Sequence, residues 1–347
     1  MAPASSDSPA PQDGTAPHAT PAPATHAAPA PQDGTASHAT PAPAPQDGTA
    51  PHAEPAPAPH ATPGAFALAT AVEPRGDGRY GCVFDADWAA LAGINGGIIM
   101  AILIRAIEAE VDPDRRIRSL QCQFLRPPKA RAAEIVIETT RTGARATNLR
   151  VRVEQEGKLI VDALATCFTG GLREVGRWSP SLPAEATKAP SNQHISDPRL
   201  PAIADRVQYT PAIGPFPMSG TPLEPGAAAR TGGWIELREP HPVDTSLLAF
   251  FLDAWWPAAL GPIDVLSFNP TIDMTFDLRT ALPSEGLPHQ ALFVDFATQA
   301  SLEGLVDEDA RIFSADGQLL AQARQLAITL TAEDRPPVTK SSHASID

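Results

Sequence analysis

Residues Thr245–Leu260 read TSLLAFFLDAWWPAAL. Apolar side chains fall on every side of a 3.6-residue repeat, which predicts a helix buried all round. Asp253 is the only charge between Asp244 and Asp264. A carboxylate in that setting is costly to desolvate, and burial would push its pKa up. Pro257 has no N–H to give the carbonyl of Asp253, so the backbone is expected to open there. Two readings fit this stretch alone: Asp253 is tolerated at a wetter point of the helix, or it is a poised acid.

Upstream, a second apolar helix is predicted over Ile98–Val111. Gly93-Ile94-Asn95-Gly96-Gly97 leads into it and Asp112-Pro113-Asp114 stops it. Strands are predicted at Phe66–Glu73 and Tyr80–Asp85, with a short helix through Trp88. After the first helix come Ile117–Phe124, Glu134–Arg141, Thr147–Gln155 and Leu159–Phe168. The pattern then recurs. Strands are predicted at Val207–Ile213 and Gly233–Arg238, followed by the Thr245–Leu260 helix. Phe268–Leu278, Gln290–Leu302, Ala310–Ser314 and Gln318–Leu330 complete the second set.

The two sets read as an internal duplication. Ser119-Leu-Gln-Cys-Gln-Phe124 matches Thr271-Ile-Asp-Met-Thr-Phe276, and Gly157-Lys-Leu-Ile-Val-Asp-Ala163 matches Gly317-Gln-Leu-Leu-Ala-Gln-Ala323. Each copy has strands, one buried helix, then a run of antiparallel strands, which is an α+β plan. A helix apolar all round is best explained by a sheet curled about it.

Composition sets the boundaries. Residues 1–64 contain no Lys, Arg, Val, Ile, Leu, Phe, Trp or Tyr, and PAPQDGTA recurs from Pro9, Pro29 and Pro43. No core can form from them, so a disordered, partly polyproline-like tail is predicted. His18, His26, His38, His52 and His60 lie in it. Their spacing in a floppy chain favours a solvated tail over a metal site. The expected division is tail 1–64, first copy 65–170, Pro- and Ser-rich linker 171–205, second copy 206–332 and a flexible end 333–347. The net charge of −14 argues against nucleic acid as a partner. Arg105–Lys158 is locally basic, with 12 basic against 8 acidic residues, and could form a lip for a small anion. Cys82, Cys122 and Cys167 suggest reduced, buried thiols and a cytoplasmic protein. No signal peptide is visible, and GGIIMAILI is too short to span a bilayer.

These features together resemble the double hotdog of acyl-CoA thioesterase II and its TesB-like relatives. The resemblance rests on Gly96-Gly97-Ile98, Phe124-Leu125-Arg126-Pro127 and the turn Gln155-Glu156-Gly157-Lys158 in the first copy. In the second it rests on Asp253, Thr271-Ile272-Asp273 and Ala321-Gln322-Ala323-Arg324-Gln325. It covers about Phe66 to Leu330. The family activates a water with an Asp on the helix, a Thr on the next strand and a Gln on the last, which implies Asp253, Thr271 and Gln325 as catalytic residues. It implies an acyl-CoA substrate, hydrolysis to free acid and CoA, and no metal or redox cofactor. Hotdog proteins often form larger assemblies, so a homo-oligomer is possible.

Further expectations follow from the residue types. The amides of Gly96 and Gly97 at a helix start are candidate oxyanion donors, so Gly97→Val should lower turnover more than stability. Arg126, Lys129 and Arg131 could meet CoA phosphates, or could be a solvated strand end. The first copy has Ala165 where the second has Gln325, so the chemistry is expected in the second copy. His194, His241 and His289 sit near Pro-rich turns, and there is no Gly-x-Ser-x-Gly for a Ser-His-Asp hydrolase. The alternative to an enzyme is a non-catalytic acyl-CoA or acyl-carrier binding protein. A hotdog hydratase would be expected to carry a His with the Asp near the helix, and none is present.

Overall fold

A computed structural model describes residues 63–170, 173–187, 189–190, 195 and 200–334. The expectations for residues 1–62, the five tail histidines, His194 and residues 335–347 lie outside the described residues. Among the described residues there are three α-helices: α1 (Ala65–Ala69), α2 (Gly96–Glu110) and α3 (Thr245–Ala254). The first copy contributes strands β1 (Glu73–Gly76), β2 (Arg79–Val83), β3 (Arg115–Phe124), β4 (Ala132–Thr142), β5 (Ala146–Gln155) and β6 (Lys158–Thr169). The second contributes β7 (Val207–Ile213), β8 (Ala229–Leu237), β9 (Thr271–Leu278), β10 (Leu292–Thr298), β11 (Leu305–Phe313) and β12 (Leu319–Ile328).

The strands run in the order β1-β2-β4-β5-β6-β3-β9-β12-β11-β10-β8-β7, with the two-residue strand Ser301–Leu302 beside β11. The two halves of that order mirror each other: β3 matches β9, β4 matches β10, β5 matches β11 and β6 matches β12. The duplication is therefore structural. The halves join where β3 and β9 pair antiparallel, Gln121 opposite Thr275. This is a double hotdog, with each half-sheet wrapped about a central helix.

Alternation explains the curl. In β5, Thr147, Leu149, Val151, Val153 and Gln155 are buried while the residues between them are at least partly exposed. The inward face meets α2, where every residue from Gly97 to Ile104 is buried. In α3 everything from Ser246 to Leu252 is buried. Each large apolar side chain buried this way contributes roughly 1.5–3 kcal/mol. The helices lie antiparallel: Arg105 near the end of α2 meets Asp244, the N-cap of α3, at 2.5 Å, while Asn95 at the start of α2 meets Asp253 near the end of α3.

Five sequence expectations are corrected. Residues 65–69 form α1 rather than the start of a strand, and Phe66 packs edge-on against Trp88. α3 ends at Ala254 rather than Leu260, because Trp255 is extended and Pro257 opens a short 3-10 turn at Ala258–Leu260. The Asp253 carbonyl still finds a donor, the Asn95 amide at 2.9 Å. The strand Phe268–Leu278 is split at Pro270, and Ser267–Phe268 pairs with Leu330–Thr331 instead. β11 begins at Leu305, not Ala310. Finally, Phe124 lies opposite Val161, whereas Phe276 lies opposite Ala323. Matching Phe124 with Phe276 thus puts Val161, not Ala163, on Ala323, so the two sequence matches disagree by two residues. The face is unchanged, and the counterpart of Gln325 is a buried alanine, Ala163 or Ala165, on either alignment.

Candidate active site

The start of α2 is built around Asn95. Its Oδ1 caps the helix by accepting from Ile98 N at 3.1 Å, the usual role of Asn at this position. Its Nδ2 is thereby left pointing at α3, where it donates to the Asp253 carbonyl at 2.9 Å and to Asp253 Oδ2 at 2.8 Å. Gly97 N donates to the same oxygen at 2.8 Å, and Gly96 N also donates to the carboxyl. Glycine is required by proximity: a Cβ at Gly97 would lie 2.7 Å from the Phe250 carbonyl and 2.9 Å from Asp253 Cβ.

Asp253 is thus a buried carboxylate held at a helix N-terminus. Burial pushes its pKa up, the amides of Gly97 and Gly96 and the Asn95 side chain pull it back, and it settles at about 6. The helix N-terminus also favours the anion. The first copy has no counterpart. Asp253 lies nine residues after its N-cap Asp244, and nine residues after the N-cap Asn95 is Ile104, which is fully buried. At the related position Asp244 makes an ion pair with Arg105. Its burial is outweighed by hydrogen bonds from His241, Ser246 and Leu247 N and by the Arg105 charge, which hold it well below the usual carboxylate range.

A cavity of about 900 Å³ opens beside Asp253, at the upper end for small-molecule sites. Thr271 and Gln325 also line it. Thr271 Oγ1 donates to Gln325 Oε1 at 2.8 Å, and Gln325 is 7% exposed. The three sequence candidates therefore share one chamber. Its apolar wall includes Trp255 and Trp256, whose ring centroids are 4.4 Å apart. Trp255 Nε1 donates to Thr231 at 3.0 Å, and Tyr209 caps the end of α3 by donating to the Ala254 carbonyl at 2.9 Å.

Two polar residues of the chamber that hydrogen-bond to Asp253 or Gln325 were not among the sequence candidates. One is Asn95, whose signal was present: Asn before Gly-Gly at a helix start is a capping pattern. The other is Glu308 on β11. Its Oε1 accepts from Ala258 N at 2.6 Å and its Oε2 from Gln325 Nε2 at 2.9 Å.

The basic residues are less concentrated. Arg126 lines the mouth of the cavity and donates to the Leu159 carbonyl at 2.7 Å. Lys129 and Arg131 do not line it, and both pair with Glu156. Gly96 and Gly97 do line or abut the chamber, but their amides are occupied by Asp253. The carbonyl 2.7 Å from the added Cβ also means that Gly97→Val would cost folding stability substantially, against the expectation that turnover would fall much more than stability. Among the described residues no group of three or more His, Cys, Asp or Glu could hold a metal ion. No described helix is long and apolar enough to cross a membrane.

Comparison with known families agrees with this architecture. The acyl-CoA thioesterase N-terminal domain profile matches residues 84–168, and the acyl-CoA thioesterase C-terminal domain profile matches residues 181–329. The chain belongs to the acyl-CoA thioesterase family. Among solved structures it is similar to a conserved hot dog-fold protein of unknown function from Alicyclobacillus acidocaldarius. That match has a TM-score of 0.66 and 20% identity, and covers 78% of this chain and 99% of the other. It is also similar to the acyl-CoA thioesterase II TesB2 of Mycobacterium marinum, with a TM-score of 0.59, 20% identity, and 77% and 98% coverage. A tesB protein from Mycobacterium avium subspecies paratuberculosis matches with a TM-score of 0.60, 18% identity, and 76% and 98% coverage. At these identities the likeness shows the fold alone. No curated protein matches the sequence.

Proposed function

We propose that this protein hydrolyses an acyl-CoA thioester, with Asp253 as the general base. The observation that carries the reading is a buried carboxylate, with a pKa raised to about 6, on the wall of a large cavity that Thr271 and Gln325 share. Ionised at neutral pH yet poorly solvated, it is suited to take a proton from water. Thr271 and Gln325 fix the orientation of that water, which lowers the entropic part of the barrier. The water oxygen bonds to the thioester carbon as its proton passes to Asp253. The tetrahedral intermediate then collapses with cleavage of C–S. The leaving thiolate, from a thiol of ordinary pKa about 8.5, needs no strong acid. Free acid and CoA result, and Asp253 returns its proton to the thiolate or solvent.

The amides of Gly96 and Gly97 are assigned to holding Asp253 rather than to the oxyanion. Arg126, at the cavity mouth, is the preferred contact for a CoA phosphate. Lys129 and Arg131 would first have to exchange Glu156 for phosphate. The unpaired, buried Cys82, Cys122 and Cys167 favour a reducing, cytoplasmic setting.

The test is thiol release from a panel of acyl-CoAs of different chain length, with acyl-CoA binding measured in parallel. The native protein should release thiol, and Asp253→Asn should bind with similar affinity and release none. Tight binding without release by the native protein would identify a non-catalytic binder instead.

A further inference from the structure

The buried acid Glu308 is not used in the reaction just described, although it lies in the same chamber. It is 4% exposed, and it sits where the first copy is apolar. Glu308 lies opposite Gln325 across β11 and β12. The matching pairs across β5 and β6 are Leu149 with Ala165 and Val151 with Ala163. On either alignment an aliphatic–alanine pair in the first copy has become an acid–amide pair in the second. A buried carboxyl with no cationic partner is expensive. The fold supplies two donors to it and no apolar substitute.

Those donors set a direction. Ala258 N and Gln325 Nε2 both give protons to the Glu308 carboxylate, so the carbonyl end of the Gln325 amide must face Thr271. Thr271 then has to donate its single proton to Gln325 Oε1. The hydroxyl oxygen keeps only lone pairs for the chamber. A water held there offers one proton to Thr271 and the other to Asp253, with its own lone pair left for the thioester carbon.

We propose that Glu308 is a positioning residue: its carboxylate fixes the Gln325 amide, commits Thr271 to donate away from the chamber, and so orients the nucleophilic water. The proposal rests on the thioesterase reading and goes beyond it. Were Glu308 neutral, its own O–H would favour the Gln325 carbonyl. The amide would turn, and Thr271 would point its proton at the water's lone pair.

The surroundings make this switch accessible. Asp253 on α3, and Asp307 beside it on its own strand but turned to the opposite face, are both like charges near Glu308. Gln325 and the Ala258 amide face it with donors. Thr298, next in register on β10, carries no charge. Burial first, then these two acids, raise its pKa to about 8 against the pull of the donors.

The experiment is kcat and KM against pH for the wild type, Glu308→Gln and Asp253→Asn. The wild type should rise near pH 6 and again near pH 8. Glu308→Gln, which keeps the shape but not the charge, should keep KM within about two-fold, lose the second rise and fall at least about ten-fold in kcat at pH 8.5. A purely structural role would move the melting temperature and leave the profile alone. A Glu308→Gln profile matching the wild type, beside an inactive Asp253→Asn, would overturn this proposal only. An active Asp253→Asn would overturn the parent reading. If Glu308→Gln does not fold, the wild-type profile decides, and a single rise near pH 6 overturns the proposal.

Discussion

Replacing Gly97 by Ala tests the junction of the two helices. The new Cβ would meet the Phe250 carbonyl at 2.7 Å and Asp253 Cβ at 2.9 Å, both closer than ordinary van der Waals contact. The helices must separate by roughly half an ångström. Overpacking of this kind costs about 1–3 kcal/mol, against up to about 1 kcal/mol gained from the better helix propensity of Ala. A net loss of about 0–2 kcal/mol is expected. The same movement stretches the Gly97 N–H bond to Asp253 Oδ2, now 2.8 Å. A hydrogen bond to a charged group contributes about 1.5–3 kcal/mol, and each 1.36 kcal/mol is one pKa unit, so partial loss raises Asp253 by about one to two units. The ionised fraction at pH 7 then falls about two- to ten-fold. Thiol release at saturating acyl-CoA should drop by that factor at pH 7 and largely recover at pH 8.5, with the acid inflection moved from about 6 towards 7–8. An unchanged inflection together with an unchanged melting temperature would refute the assignment of the Gly97 amide to Asp253.

Asn95→Ala removes a helix cap, worth about 1 kcal/mol, and a donor to the carboxylate. It should lower the melting temperature and move the kinetic inflection upwards; an inflection that stays near 6 would contradict the role given to Asn95. Glu308→Gln has a stability signature independent of catalysis. The native Glu308 pKa of about 8 lies above its ordinary 4.5, so between those pH values the folded state holds a proton that the unfolded chain has lost. Wild-type stability is therefore lost as pH rises through that window, by up to several kcal/mol, on the order of the full shift. The melting-temperature difference of Glu308→Gln over the wild type should grow by at least about 4 °C from pH 5 to pH 9, and a constant difference would refute it. Arg126→Ala should raise KM for acyl-CoA about three- to ten-fold with little change in kcat, as loss of an exposed phosphate contact would. An equal loss in KM for acyl-pantetheine, which lacks the nucleotide phosphates, would contradict a phosphate contact.

The sequence carried the two central helices and most strands of each copy, because these are local or repeated signals, and the family resemblance pointed to Asp253, Thr271 and Gln325, which line one cavity. All-round apolarity marks both central helices, and a lone Asp among Phe, Leu and Trp is conspicuous. What it hid depends on partners far away in the chain. The Asn95 amide reaches a residue 158 positions on. Glu308 sits in Val306-Asp-Glu-Asp-Ala310, where the inward positions are Val306, Glu308 and Ala310. An acid at the middle inward position breaks the apolar alternation, so the pattern predicts a strand only from Ala310. The end of α3 was obscured differently: Trp255 and Trp256 continue the apolar run, but Pro257 controls the backbone. The slip of two residues between the duplicated strand pairs is invisible in sequence, because it leaves the same face inward.

The most direct test of the account is the acid limb of kcat for acyl-CoA hydrolysis, followed by thiol release from pH 4.5 to 7.5. If Asp253 is the base, kcat rises with an inflection near pH 6, and Asp253→Asn lacks that rise and is at least about 100-fold slower while still binding acyl-CoA. A wild-type rate with no inflection near 6, or an Asp253→Asn rate close to that of the wild type, would contradict it.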